Sequence, residues 1–276
     1  MRQADQSAPF LKALFYGQPG STKTRTACTA TFVKDFSPVL VLEAAGNPLS
    51  VRDYQPQPTI FSMEKLKDYN QVYDFLVKDQ PTDHAFRTVC ESAGIPLEDY
   101  YRTVVLDGAT QVQRFAFDVV LPGSDVEPGN VPAPYEIQHF GRVLGTMANW
   151  AEKYIKTLNM HVIVTALEDE HQSMGSSEVK IRPLLWGQSR GEICGYPYLV
   201  MRLAPTSTID NRSKAVFATE IETAQRSQFV GFTRATNAFY AKDQYGMRDD
   251  GGQLMRYMFD PTIEKIWDRI METTPQ

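Results

Sequence analysis

The stretch LFYGQPGSTKT, Leu14 to Thr24, constrains the fold more than any other part of the chain. An apolar run ends in a glycine-containing turn, and Lys-Thr follows at once. That is the order of a buried strand, a loop that cradles phosphate, and a helix. The pattern for such a loop is G-x-x-x-x-G-K-[ST], and Thr22 stands where it has its second glycine. Gly17 and Gly20 supply permissive torsions and Pro19 stiffens the turn, so Thr22 must follow the same curve with a β-carbon present. The candidate nucleotide-binding residues are therefore Gly17, Gln18, Pro19, Gly20, Ser21, Thr22, Lys23 and Thr24. Backbone N–H groups and the positive end of a helix converge there, Lys23 is placed to neutralise β and γ phosphates, and the Thr24 hydroxyl to ligate magnesium. Threonine at position 22 predicts weaker binding, not its loss.

Three further runs match LKALFY (11–16) in character: VLVLE (39–43), TVVLD (103–107) and HVIVTA (161–166). Rich in leucine or β-branched residues without polar alternation, they read as strands of a parallel sheet buried on both faces. Helical patterns at 23–35, 63–78, 83–93 and 135–158 alternate with them, which makes the class α/β. A fifth strand is expected at 198–204, after a loop-like segment with glycines at 175, 187, 191 and 195. AVFATEIETA and NAFYAKDQYG then read as a hairpin or meander at a sheet edge, before a closing helix at 261–271. The expected architecture is one domain over 1–276, a mostly parallel central sheet flanked by helices. Its core spans about 10–205, and an antiparallel C-terminal extension with hairpin and helix spans 206–276. The proline-rich stretches 54–59 and 121–135 read as loops.

With 42% hydrophobic residues in 276, a large core is within reach. Three cysteines far apart, with no C-x-x-C pair, argue against a zinc site or a disulfide framework. No apolar run approaches the roughly 18 residues of a membrane span, and MRQADQSAPF lacks the apolar centre of a secretory signal, so a cytoplasmic location and no membrane partner are expected. A formal charge of -5 gives no global attraction to nucleic acid, which leaves DNA binding to a local basic surface.

Asp107 ends an apolar strand, where an acid beside the phosphate loop holds magnesium through water. Hydrolysis also needs a group that orients the attacking water. Glu43, at the end of VLVLE, is the first candidate; Glu168, Asp169 and Glu170 in TALEDE are the others, and Thr165 is placed to sense the γ phosphate.

Taken in order, GQPGSTKT, VLVLEAAG, TVVLDGAT, HVIVTALED, LLWGQSRGEICGYPYLVMRL and FYAKDQYG resemble the phage-encoded RecA-like nucleotide-binding ATPases, the group that includes the Sak-type recombination and single-strand annealing ATPases. The resemblance covers nearly the whole chain. It implies a RecA-type core, ATP with magnesium, self-assembly into an oligomer or filament, and a role in phage DNA recombination or replication with the proteins of that process, in the host cytoplasm. Lys23, Thr24 and Asp107 match the family's binding pattern, and Lys242 in AKDQYG matches its late lysine, which reaches toward a neighbouring subunit's γ phosphate. Three positions depart from the family: Ala45 stands in place of the water-activating glutamate, Leu167 in place of a histidine, and Gln244 in place of an arginine. Binding is thus the firmer expectation than fast turnover. The alternative is a nucleotide-gated assembly or loading module with little or no hydrolysis. A small-molecule kinase would share the loop but needs an arginine-rich lid, and the sequence has no compact segment of that kind.

The segment KIRPLLWGQSR places Lys180, Arg182 and Arg190 around Trp186, with Tyr196 and Tyr198 following. Cations interleaved with aromatics suit a single strand, holding its backbone and stacking its bases. The competing reading is a surface loop whose Trp186 plugs the core.

Overall fold

A computed structural model describes residues 10–44, 46, 49–77, 88, 90–92, 94, 98, 100–120, 137–172, 179–186, 188–207 and 227–273. The apolar runs become adjacent strands: β1 (Lys12–Gly17), β2 (Val39–Glu43), β4 (Thr103–Asp107) and β5 (His161–Gln172). With β3 (Thr59–Ser62) and β7 (Leu199–Pro205) they form a parallel array in the order β7-β1-β5-β4-β2-β3. The array is part of a ten-stranded sheet that β8 (Phe229–Phe232) and β10 (Tyr257–Phe259) extend antiparallel beyond β7. Two short strands lie off this path: β6 (Val179–Pro183) pairs with β5 and β9 (Lys242–Asp243) with β7, both antiparallel. The α/β class, the mostly parallel sheet and the antiparallel C-terminal extension all agree with the sequence reading.

Burial on both faces explains the unbroken apolar runs. One face carries Leu14, Leu40, Leu42, Val104, Leu106, Val162 and Val164 against α2 (Leu66–Val77), α3 (Ala109–Val120), α4 (Ile137–Ala151) and α5 (Ser189–Gly195). The other carries Ala13, Phe15, Val41, Val105 and Ile163 against α1 (Lys23–Cys28) and α6 (Ile263–Thr273). The chain leaves β1 for the β2–β4 side and later returns to its other side as β7, so the strand order reverses at β1. In open α/β sheets the crevice beyond the carboxyl end of such a strand is where ligands bind.

Several boundaries differ from expectation. The first helix is α-helical only over Lys23–Cys28 and tightens into a 3-10 turn over Thr29–Phe32. Thr29 donates its hydroxyl to the Thr26 carbonyl at 2.6 Å and accepts from Ile263 N at 2.8 Å, a side-chain competition that ends α1 and docks α6 on it. Strand β5 runs six residues beyond its apolar part, because Leu167 still pairs with β1 and 168–172 pair in register with β6 outside the core. Consequently Lys180 and Arg182, expected in a loop, sit on a strand, and the glycine-containing segment after it holds α5. The expected loop at 54–59 ends in β3, and the long helix of 135–158 finishes as a π-helical stretch over Glu152–Thr157. Helix α3 has buried Val112, Phe115, Ala116 and Val120 at helical spacing, a pattern present in the sequence but not read from it. The expected loop 121–135, the strand at AVFATEIETA and most of the helix at 83–93 lie outside the described residues.

Candidate functional site

Strand β1 ends against β7 so closely that a β-carbon on Gly17 would stand 2.2 Å from the Leu203 carbonyl oxygen and 2.5 Å from Ser21 Oγ. Only glycine fits there. The turn then passes through left-handed torsions at Gly20 (φ 78) and again at Thr22 (φ 62). The backbone therefore takes the curve that the missing glycine would have taken, despite the threonine side chain. Ser21 is buried and donates its N–H to Gln18 O at 3.1 Å, which closes the turn. Lys23 folds back over it, with Nζ donating to Gly17 O (3.0 Å), Gln18 O (2.7 Å) and Ser21 Oγ (3.3 Å). Burial lowers the Lys23 pKa to about 8, opposed by the charges of Asp107 and Glu168. A desolvated ammonium held by neutral oxygens gains most from an anion brought within reach. Lys23 and Thr24 also present first-turn N–H groups that have no acceptor within α1. Because α1 is only six residues long, these local donors matter more here than a summed helix dipole.

Thr24 meets Asp107 as the sequence predicts: its Oγ1 lies 2.9 Å from both carboxylate oxygens. On the inserted strand β5, Thr165 donates to Asp107 Oδ1 at 2.5 Å. Parallel register sets Glu43 beside Asp107 and Asp107 beside Thr165, so three neighbouring strands deliver an acid, an acid and a hydroxyl in one row. Glu43 is 3% and Asp107 7% exposed. Among the described residues no group of three or more His, Cys, Asp or Glu side chains is arranged for a metal. The Thr24 hydroxyl and the Asp107 carboxylate nevertheless bring hard oxygen groups together beside the loop.

The other candidates for water activation separate. Glu168 accepts from Arg202 Nε at 3.1 Å in an ion pair whose side chains are 7% and 4% exposed, so its carboxylate is already engaged. Asp169 stands 3.8 Å from Arg182, and Glu170 is exposed on the β5–β6 hairpin. Ala45 lies outside the described residues. Leu167 pairs with Gly17, and its N–H donates to the Thr110 hydroxyl oxygen at 3.1 Å. The same hydroxyl donates to Leu184 O at 3.1 Å, tying the segment after β6 to the start of α3 just beyond Asp107. Lys242 pairs with Val200, which pairs with Leu14, three residues before the loop begins. That is roughly 10 Å down the sheet from its own loop. Its ammonium caps the end of α5, on Gly195 O at 2.8 Å and Cys194 O at 3.4 Å.

Lys180, Arg182 and Arg190 do come together, around a cleft of 330 Å³ that Tyr240 and Cys194 also line. Trp186 is 45% exposed and so does not plug the core. It faces a separate cleft of 360 Å³ on the other flank of α5, with Phe117 and Phe140. Tyr198 packs on Tyr245 at the amino end of β7, away from this cluster, and Tyr196 packs against the core. Sequence reading missed Phe117, Phe140, Gln113 and Thr110, which all sit on α3 and α4, as well as Arg202 and Tyr240. The helical periodicity of 109–120 was the one signal that pointed to α3. Among the described residues no helix is long and apolar enough to cross a membrane.

No family model matches the sequence, and no curated protein does. Among solved structures, a similar chain is an ATPase from the type III secretion system of pathogenic bacteria, with 12% identity and a TM-score of 0.34. The match covers 74% of this chain and 53% of that one, so this chain spans about half of that ATPase's length. A likeness of that size bears on neither activity nor partners.

Proposed function

We propose that this chain is a RecA-type P-loop ATPase that binds ATP with magnesium and acts on single-stranded DNA, self-assembling in phage recombination or replication. The observation that carries the nucleotide half is the meeting of the Thr24 hydroxyl with both oxygens of Asp107 beside a desolvated Lys23. The DNA half rests on the cationic cleft of Lys180, Arg182 and Arg190, and the phage context on the family resemblance alone.

In this reading the loop and first-turn N–H groups orient the phosphates, and Lys23 exchanges the carbonyls of Gly17 and Gln18 for phosphate oxygens. Magnesium, when bound, would supply positive charge for the phosphates. Thr24 and Asp107 would hold it, while Thr165 fixes the orientation of Asp107. Glu43, next to Asp107 in register, orients the attacking water and accepts its proton. Lys242, at the end of α5, acts on a neighbouring subunit's phosphate and not on its own.

ATP hydrolysis with magnesium, with and without single-stranded DNA, tests the proposal against Lys23→Ala. DNA-stimulated turnover that the variant loses supports it. Nucleotide affinity unchanged in Lys23→Ala makes the loop merely structural. The buried Glu168–Arg202 pair and the alanine at position 45 favour a second reading, a nucleotide-gated assembly module with little turnover. A nucleotide-dependent change in particle mass without hydrolysis distinguishes it.

A further inference from the structure

Helix α5 begins between two unlike clefts. On one flank Phe117 stands edge-on to Trp186, ring centroids 5.0 Å apart, and to Phe140 at 5.6 Å. These rings line a cleft of 360 Å³ whose rim carries Gln113, Gln188 and Ser189. Gln113 fixes the wall: its Oε1 accepts from Trp186 N at 2.8 Å, and its own side chain is 3% exposed. Trp186 and Phe140 are large apolar rings, 45% and 41% exposed.

On the other flank, starting one residue further along the chain, Arg190 faces Arg182 and Lys180. Arg190 Nη2 donates to Leu185 O at 2.9 Å, which places its guanidinium against the peptide next to Trp186. The Nε atoms of Arg182 and Arg190 are buried, with no hydrogen-bond acceptor among the described residues. The 3.8 Å separation of Arg182 Nε from Asp169 is beyond hydrogen-bond reach. Burial, then the charge of Arg190, lowers the Arg182 pKa, and Asp169 opposes.

We propose that the two clefts form one nucleotide subsite, an unpaired base entering the Phe117–Phe140–Trp186 cleft while its phosphate bridges Arg182 and Arg190. Stacking surfaces suit any base, and the exposed Gln188 amide offers hydrogen bonds to a base edge. An apolar protein side chain would fill the aromatic cleft but leave the guanidinium donors unsatisfied; a nucleotide satisfies both. This rests on the DNA reading above and extends it from backbone contact to base insertion. The same chemistry belongs to a free mononucleotide, and the experiment separates the two sources.

Trp186 is the exposed one of the chain's three tryptophans, Trp150 and Trp267 being buried, so its emission reports on the cleft. The full-length protein is titrated with a thymidine homopolymer, with its abasic counterpart of equal length, and with thymidine monophosphate. Trp186→Phe identifies the signal. The homopolymer is expected to quench Trp186 and the abasic strand to bind without quenching. Phe140→Ala, an exposed position that spares folding, is expected to weaken the homopolymer by about 5- to 150-fold and leave the abasic strand unaffected. Arg182→Ala with Arg190→Ala should weaken both strands and reduce the salt slope by about 0.7, the share of the one phosphate the two arginines bridge. Saturable quenching by the monophosphate with no response to the homopolymer would support the subsite with a free nucleotide as its ligand. Homopolymer and abasic strand bound alike, by wild type and Phe140→Ala, would overturn base insertion while the DNA reading stands. No binding of either strand, with or without ATP, and no quenching by the monophosphate would overturn both and leave the cleft to a protein side chain.

Discussion

Replacing Thr22 by glycine should stabilise the protein, although a change to glycine ordinarily does the reverse. Thr22 holds φ 62 and ψ 13 and makes no capping hydrogen bond with its side chain. A left-handed conformation costs an L-residue roughly 1–2 kcal/mol, and a β-branched side chain lies at the upper end of that range. Glycine removes this strain and returns about 0.5–1 kcal/mol as extra chain entropy in the unfolded state. The balance is about 1 kcal/mol in favour of Thr22→Gly, or about 2 °C in Tm for a chain of this length. Asp260 supplies the control. It also has positive φ, at 43, but its Oδ1 accepts from Gln228 N at 3.0 Å and Phe229 N at 2.9 Å. There a short polar side chain ties its turn to the start of β8, so Asp260→Gly should lose about 1 kcal/mol or more. Urea unfolding of both variants, read as the shift in midpoint at constant m, measures the two signs together. Nucleotide affinity of Thr22→Gly should not fall, because the curve of the loop is unchanged. A Thr22→Gly midpoint below wild type would refute the reasoning, since it would mean that the threonine side chain supports the turn instead of straining it.

Asp107→Asn should keep nucleotide binding but cost about 10- to 100-fold in its magnesium-dependent part, as loss of an outer-shell partner does; isothermal titration at varied magnesium checks this, and an unaltered dependence assigns the ion to another acid. Glu43→Gln should reduce turnover by about 100-fold or more without weakening nucleotide binding, the scale of a lost general base. Full residual hydrolysis would move that role elsewhere, and Glu168→Gln, which releases Arg202, is the comparison. His161 is buried, accepts from Leu11 N at 2.9 Å through Nδ1, and stacks on Phe36 at 3.7 Å. Burial, then Lys12, pushes its pKa down to about 4; Arg102 lowers it further and Asp35 opposes. The unfolded chain therefore binds the proton first, and this contribution to stability is present above about pH 6.5 and lost as pH falls through about 4. His161→Asn keeps an acceptor for Leu11 N without titrating, so the stability gap between wild type and variant should shift by up to about 3 kcal/mol between pH 7 and pH 4. Parallel curves of unfolding free energy against pH would remove His161 from the acid response.

What the sequence disclosed, and what it hid, follows from how each residue is held. Strands β1, β2, β4 and β5 are legible because both of their faces are buried, and the acids that end β2 and β4 interrupt apolar runs at fixed places. Lys23, Thr24 and Asp107 are legible for the same reason, as a loop between a buried strand and a helix leaves few places for an anion. The water-activating group is less so. Glu43 and Glu168 both follow buried strands, and only the packing of β7 against β1 brings Arg202 to Glu168 and separates their roles. The aromatic cleft was hidden further still: Trp186 stood out, but its partners come from two helices distant in sequence, one of them unread. Gln113 and Thr110 belong to that unread helix, four and one residues from Ala109, where α3 begins. Through them the helix that follows Asp107 grips Trp186 N at 2.8 Å and Leu184 O at 3.1 Å. One short helix thus joins the end of β4 to the wall of the cleft. That linkage is a property of tertiary packing, and no local pattern in 180–190 alone encodes it.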